Sequence, residues 1–119
     1  MAALALPVSA GAAPGFRATF SAPTHTPKVN AKWFYTVRAT LNGKPVRATV
    51  TSQIVDPVGG VHPVQFGSTK RNITNHPFVG VFRDYVQFPP EAQGVRLTLR
   101  VTVKARVARA VFPYWVKPR

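Results

Sequence analysis

The residues best suited to bind a ligand lie close together between positions 67 and 80 of this 119-residue chain. They carry positive charge or hydrogen-bonding groups and are Lys70, Arg71, Asn72, Asn75 and His76, with Phe78 just after them. Cationic and amide side chains can hold a phosphate or sulfate group, and an aromatic ring can pack against a sugar. Because Asn and Pro also build turns, the alternative is that this cluster serves only its own loop.

A second basic feature is the segment 96–104 (RLTLRVTVK), in which polar and apolar residues alternate strictly. Side chains alternate between the two faces of a strand, so the pattern predicts an apolar face and a cationic, Thr-rich face. The cationic members are Arg96, Arg100 and Lys104. We expect them to form one exposed strip, joined by Arg109 or Arg38 from a neighbouring strand.

The chain is strongly basic, with sixteen Lys and Arg residues against three acids and a formal net charge of +13. Such an excess favours anionic partners, among them nucleic acid, anionic lipid and acidic cell-wall polymers. The alternative interpretation is that the charge only keeps a β-protein soluble, or follows from a codon bias toward Arg, Ala, Pro and Val.

Catalytic and metal chemistry are not indicated. The three histidines, His25, His62 and His76, lack the spacing of a metal site, and the absence of Cys excludes thiol catalysis. Asp84 and Glu91 could pair as carboxylates, but neighbouring cations depress carboxylate pKa values, whereas a general acid needs a raised pKa. No G-x-S-x-G elbow, P-loop or dinucleotide fingerprint is present. We therefore predict a protein that is not an enzyme and uses no cofactor or metal.

Turn residues recur at short intervals and helix signals are scarce, which predicts an all-β domain. Segments 33–41 and 46–54 alternate on either side of Asn42-Gly43, a pattern typical of a hairpin. Further strands are predicted at 16–22, 62–66, 81–88, 95–105 and 107–116, with 67–80 as a long surface loop. Pro113 predicts that the last strand is an edge. About seven short strands are typical of an immunoglobulin-like antiparallel β-sandwich.

Several segments carry a family resemblance. Residues 33–37 (WFYTV), 41–46 (LNGKPV) and 48–51 (ATVT) resemble a strand, turn and return strand of bacterial immunoglobulin-like domains found in exported proteins. The segment 88–94 (FPPEAQG), followed by 97–103 (LTLRVTV), is similar to the turn before a long strand in those domains, and the chain also resembles small secreted proteins of high-GC actinobacteria. The resemblance covers residues 16–118 and implies export, a β-sandwich and no catalytic residue. Those domains are commonly neutral or acidic, so the charge of this chain argues against a pure spacer.

Residues 1–13 are small and apolar and include small-x-small sequences that fit a signal-peptidase site. We expect the tail of a signal peptide, although no Lys or Arg precedes Arg17; the alternative is a flexible, Ala-rich N-terminus. Residues 14–119 have the size of one domain. No apolar stretch approaches the ~20 residues of a membrane helix, so we expect no transmembrane segment. The predicted location is secreted or in a bacterial cell envelope.

Two function classes follow. The first is a secreted or cell-envelope immunoglobulin-like module that contacts a protein or an anionic polymer without catalysis, a cell-wall polymer being favoured over nucleic acid. The second is a nucleic-acid-associated or phage-particle structural protein whose cations meet phosphates, namely Arg38, Arg47, Arg96, Arg100, Lys104 and Arg109. The aromatic residues fall mostly on apolar rows, so the stacking platform of single-strand binders is not predicted. Cleavage after Ala10 or Ala13 would support the first class, and retention of Met1 in the cytoplasm the second.

Overall fold

The alternating segments of the chain form strands. The computed structural model describes residues 14–67, 71–106 and 108–119. Within these ranges the strands are β1 (Phe16–Ser21), β2 (Trp33–Leu41), β3 (Lys44–Pro45), β4 (Arg47–Val55), β5 (Val61–Pro63), β6 (His76–Val79), β7 (Val81–Val86), β8 (Leu97–Ala105) and β9 (Arg109–Val116). A 3₁₀ turn at Pro90–Ala92 precedes β8, and the described ranges contain no α-helix. The all-β class is confirmed, with nine strand segments where the sequence predicts about seven.

The strands form two antiparallel sheets. In the first sheet, β2 pairs with β1 along one edge and with β3 and β7 along the other. In the second sheet, β8 lies between β4 and β9, while β5 and β6 share the other edge of β4. β9 pairs with β8 alone among the described strands, which confirms the edge position that Pro113 predicts. The residues buried from both sheets form one core, as in a β-sandwich.

The core contains the inward rows that the alternation predicts. β2 buries every second residue from Trp33 to Ala39, and β8 buries alternate positions from Leu99 to Val103. Ser52 of β4 is buried as well, and its hydroxyl lies 2.8 Å from the Tyr35 hydroxyl of β2. This hydrogen bond therefore joins the two sheets. Burial strongly raises the pKa of the Tyr35 phenol; the hydrogen bond to Ser52 opposes this shift, and the negative charge of Asp84 adds to it.

The hairpin at Asn42-Gly43 is present but shorter than predicted. It pairs only two residues of β2 with β3, and the chain then passes to the second sheet, where β4 pairs with β8. The prediction that segment 46–54 returns alongside β2 is therefore wrong, although its inward row is correct. The pairing of β3 with β2 ends here for two reasons. Pro45 has no N–H to continue the ladder, and β7 occupies the same edge of β2 from Trp33 to Arg38.

A second crossing between the sheets lies beside the first. β6 belongs to the second sheet and β7 to the first, and Gly80 connects them. The Gly80 N–H donates to the Val46 carbonyl at 3.1 Å, and the Gly80 carbonyl accepts from the Ala39 N–H at 2.9 Å. Gly80 has φ 75°, and a Cβ there would lie 2.9 Å from the Pro45 Cβ. The position therefore requires glycine for both conformation and space.

Residues 67–80 do not form the single long surface loop that the sequence predicts. β6 within this segment pairs with β4, and Gln65 bridges to Asn72. Ile73 is fully buried; its N–H donates to the Val64 carbonyl at 2.8 Å and its carbonyl accepts from the Ser52 N–H at 3.0 Å. The loop prediction fails because too few apolar residues interrupt the polar run to reveal a periodicity. Residues 68–70 and the predicted signal-peptide segment 1–13 lie outside the described residues.

The connection between β1 and β2 is held by the last residues of the chain. Three backbone hydrogen bonds join them, from Lys117 N to His25 O at 2.7 Å, from Arg119 N to Pro27 O at 2.9 Å and from Val29 N to Arg119 O at 3.0 Å. The Trp33 indole N–H also donates to the Thr24 carbonyl at 2.9 Å. The connection is therefore fixed against the sandwich without forming a strand of its own.

Candidate functional site

A row of cations lies on the outer face of the second sheet. Arg100 and Lys104 belong to the outward row of β8, and Arg109 of β9 lies directly opposite Lys104. All three line a shallow groove of about 400 Å³ together with Thr51, Gln53, Thr102 and Val111. We refer to Arg100, Lys104 and Arg109 as the second-sheet strip. The structure thus places Arg100 and Lys104 on one face, as the alternation predicts, and adds Arg109 from the neighbouring strand.

Arg100 is held in position by its neighbour on β4. Its Nη2 and Nε donate to the Gln53 side-chain oxygen at 2.9 and 3.3 Å, and the two residues are direct partners in the sheet register. An arginine carries five N–H donors, so this contact orients the guanidinium and leaves others for a ligand. Lys104, farther along β8, is exposed.

Arg96 extends this face beyond the first residue of β8. Its guanidinium carbon lies 4.5 Å from the centre of the Trp115 ring. The sequence predicts that the large aromatic residues are mostly core or collar residues of the sandwich, and Trp115 among them is 38% exposed. His25 stacks on the same indole with ring centres 4.1 Å apart, and its Nδ1 lies 2.6 Å from the Trp115 carbonyl. A cation and an imidazole therefore both contact this surface tryptophan.

The two other arginines considered for phosphate contact lie on different sheets. Arg47 is exposed on β4 in the second sheet. Arg38 is exposed on β2, between Thr19 and Val81 in the register of the first sheet. Because the outer faces of a sandwich point away from each other, Arg38 cannot join the second-sheet strip. Of the two predicted neighbours, Arg109 is therefore the one that joins it.

The polar cluster of residues 70–76 is divided by the fold. Asn75 adjoins the groove of the second sheet, since its N–H donates to the Thr51 hydroxyl at 2.9 Å. Arg71 and Asn72 are exposed, Asn72 in a bridge to Gln65, and Lys70 lies outside the described residues. Asn75 is therefore the member of this cluster that the structure places at the groove of the second sheet.

The two rings of that segment are turned into the sandwich. His76 is half-buried, with its ring centre 4.7 Å from that of Phe66 and 5.5 Å from that of Phe82. Phe78 is only 8% exposed and belongs to the core. Phe78 therefore cannot present a ring to a sugar, and the predicted contact of that kind is wrong.

One of the three acids is used by a turn. The Asp56 carboxylate accepts from the backbone N–H groups of Val58 and Gly60 at 3.0 and 2.8 Å. Its second oxygen lies 2.8 Å from His62 Nε2. The hydrogen bond from His62 is the main cause that lowers the pKa of Asp56, and the turn N–H groups add to it. Asp56 therefore acts as a turn residue at the end of β4.

The other two acids also lie away from the strip. Asp84 pairs with Tyr35 in the register, and one of its carboxylate oxygens is buried with no hydrogen-bond partner among the described residues. Glu91 lies in the 3₁₀ turn. The strands of the second sheet contain no Asp or Glu at all. No carboxylate side chain on these strands therefore offsets the positive charge of the strip.

The first sheet carries cations paired with aromatic rings, which the sequence analysis did not anticipate. The Arg83 guanidinium carbon lies 4.2 Å from the centre of the Phe34 ring, and Lys32 Nζ lies 4.9 Å from that of Tyr85. The rings of Phe34 and Tyr85 are themselves 5.3 Å apart. Alternation does predict that Phe34 faces outward. No pattern in the local sequence predicts the pairing of β2 with β7, which brings Arg83 beside Phe34.

Within the described ranges, no three His, Cys, Asp or Glu side chains lie close enough together to hold a metal ion. No helix there has the length and hydropathy needed to cross a membrane. Comparisons with protein-family models, curated proteins and solved structures found no match to this chain.

Proposed function

We propose that this chain is a non-catalytic immunoglobulin-like binding or structural module of a bacterial secreted or cell-envelope protein. In this proposal the second-sheet strip contacts an anionic polymer, and an acidic protein surface is the other partner it could accept. The observation that carries the proposal is the row of Arg100, Lys104 and Arg109 on a sheet without acids. Such a surface attracts polyanions and repels cationic partners.

The order of the strands supports the immunoglobulin-like assignment. Three strands in the order β1–β2–β7 face four in the order β5–β4–β8–β9. Immunoglobulin-like sandwiches oppose an A–B–E–D sheet to a C–F–G sheet, with C′ added beside C in the variable type. In chain order the seven strands fit A, B, C, C′, E, F and G, with no counterpart of D in the three-strand group. The short β3 and β6 are then additions at the crossings. One departure is that the buried Trp33 lies on the second strand, whereas immunoglobulin domains have their buried Trp on the third.

A binding titration of the full chain tests the proposal. The probes are a glycerol-phosphate wall polymer, duplex DNA and a neutral polysaccharide, each at low and at physiological salt. We expect the wall polymer to remain bound at physiological salt. Arg100→Gln with Lys104→Gln should weaken that binding by about tenfold, because two phosphate contacts are lost.

The matched control removes the same charge from the other sheet. Arg17→Gln with Arg38→Gln alters exposed positions of β1 and β2, and should change the affinity by less than about twofold. Equal losses in both double variants, or binding that disappears at physiological salt for every polyanion, would mean that the charge is unspecific.

The second candidate is a nucleic-acid-associated or phage-particle protein. The contacts of Arg83 with Phe34 and of Arg96 with Trp115 favour it, because nucleic-acid binders combine cations with aromatic rings. DNA bound more tightly than the wall polymer at physiological salt would select this candidate. The mass of the protein purified from its host gives a separate test, since cleavage after Ala10 or Ala13 supports export.

A further inference from the structure

A groove on the first sheet gathers cations around an aromatic ring. Its walls are the start of β2, part of β7 and the connection that precedes β2, and its volume is about 560 Å³. The cationic residues that line it are Lys28, Lys32, Arg83 and Arg119, and none of the described lining residues is Asp or Glu. We infer that this first-sheet groove binds the phosphate group of a phosphate ester.

Arg83 is the residue best prepared for that role. It lies on β7 directly opposite Thr36 of β2, and its guanidinium packs over the Phe34 ring at 4.2 Å. A guanidinium stacked on a ring keeps its N–H groups at the edge, where a phosphate can accept two parallel hydrogen bonds. Among the described residues no hydrogen-bond acceptor contacts this guanidinium, so its donors are unused.

The opposite wall of the groove is held in place before any ligand arrives. Thr24 accepts a hydrogen bond from the Trp33 indole, and Arg119 Nε donates to the Thr26 carbonyl at 3.2 Å. The Arg119 backbone N–H also donates to the Pro27 carbonyl at 2.9 Å. A wall fixed in this way loses little further freedom on binding, which favours affinity.

The charges and the size of the groove indicate the class of ligand. Like charges around one groove repel each other, and a bound anion relieves that repulsion. A phosphate offers more acceptor oxygens than a carboxylate and can accept from donors on several sides. The volume lies within the range of about 300–1,000 Å³ that is typical of small-ligand sites. It can therefore hold the phosphate and the group it esterifies, which would meet the hydroxyl-bearing residues Thr24, Thr26 and Thr36.

The test is an amide chemical-shift titration of the ¹⁵N-labelled full chain. The probes are inorganic phosphate, glycerol 3-phosphate and a glycerol-phosphate oligomer, with sodium chloride at matched ionic strength as the reference. We expect the shifts to concentrate at Ser21, Thr36 and Arg83. Arg83→Gln should weaken glycerol 3-phosphate binding by about tenfold, because a bidentate, charge-assisted contact is lost.

Two further variants separate this site from general attraction. Arg38→Gln removes the same charge from the same outer face, outside the groove, and should change the affinity by less than about twofold. Phe34→Leu keeps every charge but removes the ring under Arg83, and should weaken binding by about threefold or more. Equal losses in Arg83→Gln and Arg38→Gln, or the same shifts with sodium chloride, would overturn the inference.

The probes also distinguish the source of the phosphate. An oligomer that binds more tightly per phosphate than glycerol 3-phosphate indicates a polymer, and equal binding indicates a small ester; either result supports the site. The groove is independent of the second-sheet strip, which lies on the other sheet. Arg100→Gln with Lys104→Gln should therefore leave the groove shifts unchanged, so the two proposals can fail separately.

Discussion

The hydroxyl of Tyr35 lies 2.8 Å from the hydroxyl of Ser52, and this buried hydrogen bond joins the central strand of the first sheet to β4 of the second. Ser52→Ala would leave the Tyr35 hydroxyl buried without this partner. We expect a loss of about 1–3 kcal/mol in the free energy of unfolding, measured by urea denaturation. Tyr35→Phe in the same chain should recover part of that loss, because it removes the unpaired hydroxyl. A Ser52→Ala variant as stable as the parent would contradict this interpretation.

The buried phenol of Tyr35 should also make the folded chain less stable in alkali. Burial raises its pKa in the folded chain, so the unfolded chain releases the phenolic proton first, as the pH rises through about 10. The contribution of Tyr35 to the free energy of unfolding is complete below that pH and falls by about 1.4 kcal/mol per pH unit above it. The free energy of unfolding, measured by urea denaturation, should therefore decline less between about pH 9 and about pH 11 in Tyr35→Phe than in the parent protein. Equal declines in the two proteins would exclude Tyr35 as the cause.

The hairpin turn gives a test of backbone conformation alone. Gly43 has φ 79°, and no atom lies within 4 Å of the position that its Cβ would occupy. Gly43→Val should cost about 1–2 kcal/mol of stability, because a β-branched residue is strained at positive φ. Gly43→Asn is the control, since Asn adopts this region more readily. An unchanged melting temperature for Gly43→Val would refute the turn assignment.

The crossing between the sheets gives a test of packing. Gly80 and Gly94 have nearly the same φ, 75° and 77°, but only a Cβ at Gly80 would meet another residue, Pro45. Gly80→Ala should therefore reduce the free energy of unfolding by about 1–3 kcal/mol more than Gly94→Ala does. Chemical denaturation of the two variants measures this difference directly. Similar losses would mean that the crossing can shift to accept a methyl group.

The faces of individual strands could be predicted because alternation is a local property. The rows of β2 and β8 follow from residue type alone, and with them the outward positions of Arg100 and Lys104. The exposed edge at β9 likewise follows from one proline. Each of these properties depends on the residues of a single strand only.

The partners of those strands could not be predicted in the same way. The chain leaves the first sheet after Pro45, so β4 does not pair with β2. Most of that edge of β2 pairs instead with β7, which lies far along the sequence. The contact of Arg83 with Phe34 depends on this distant pairing, so the first-sheet groove has no sequence signal. Ile73 is buried through backbone bonds to β4 and Val64, within a run whose composition is typical of a loop.

The pairing of β2 with β7 also determines when the interior can close. Residue 33 must meet residue 86, and the intervening chain has to be ordered before that contact contributes any stability. Distant strand pairing of this kind gives folding times of roughly milliseconds to seconds. While the chain is being synthesised, the inward aromatic row of β2 stays uncovered until the second-sheet strands that pack on it, including β8 and β9, have left the ribosome. The first half of the newly made protein is therefore the segment that a chaperone would bind.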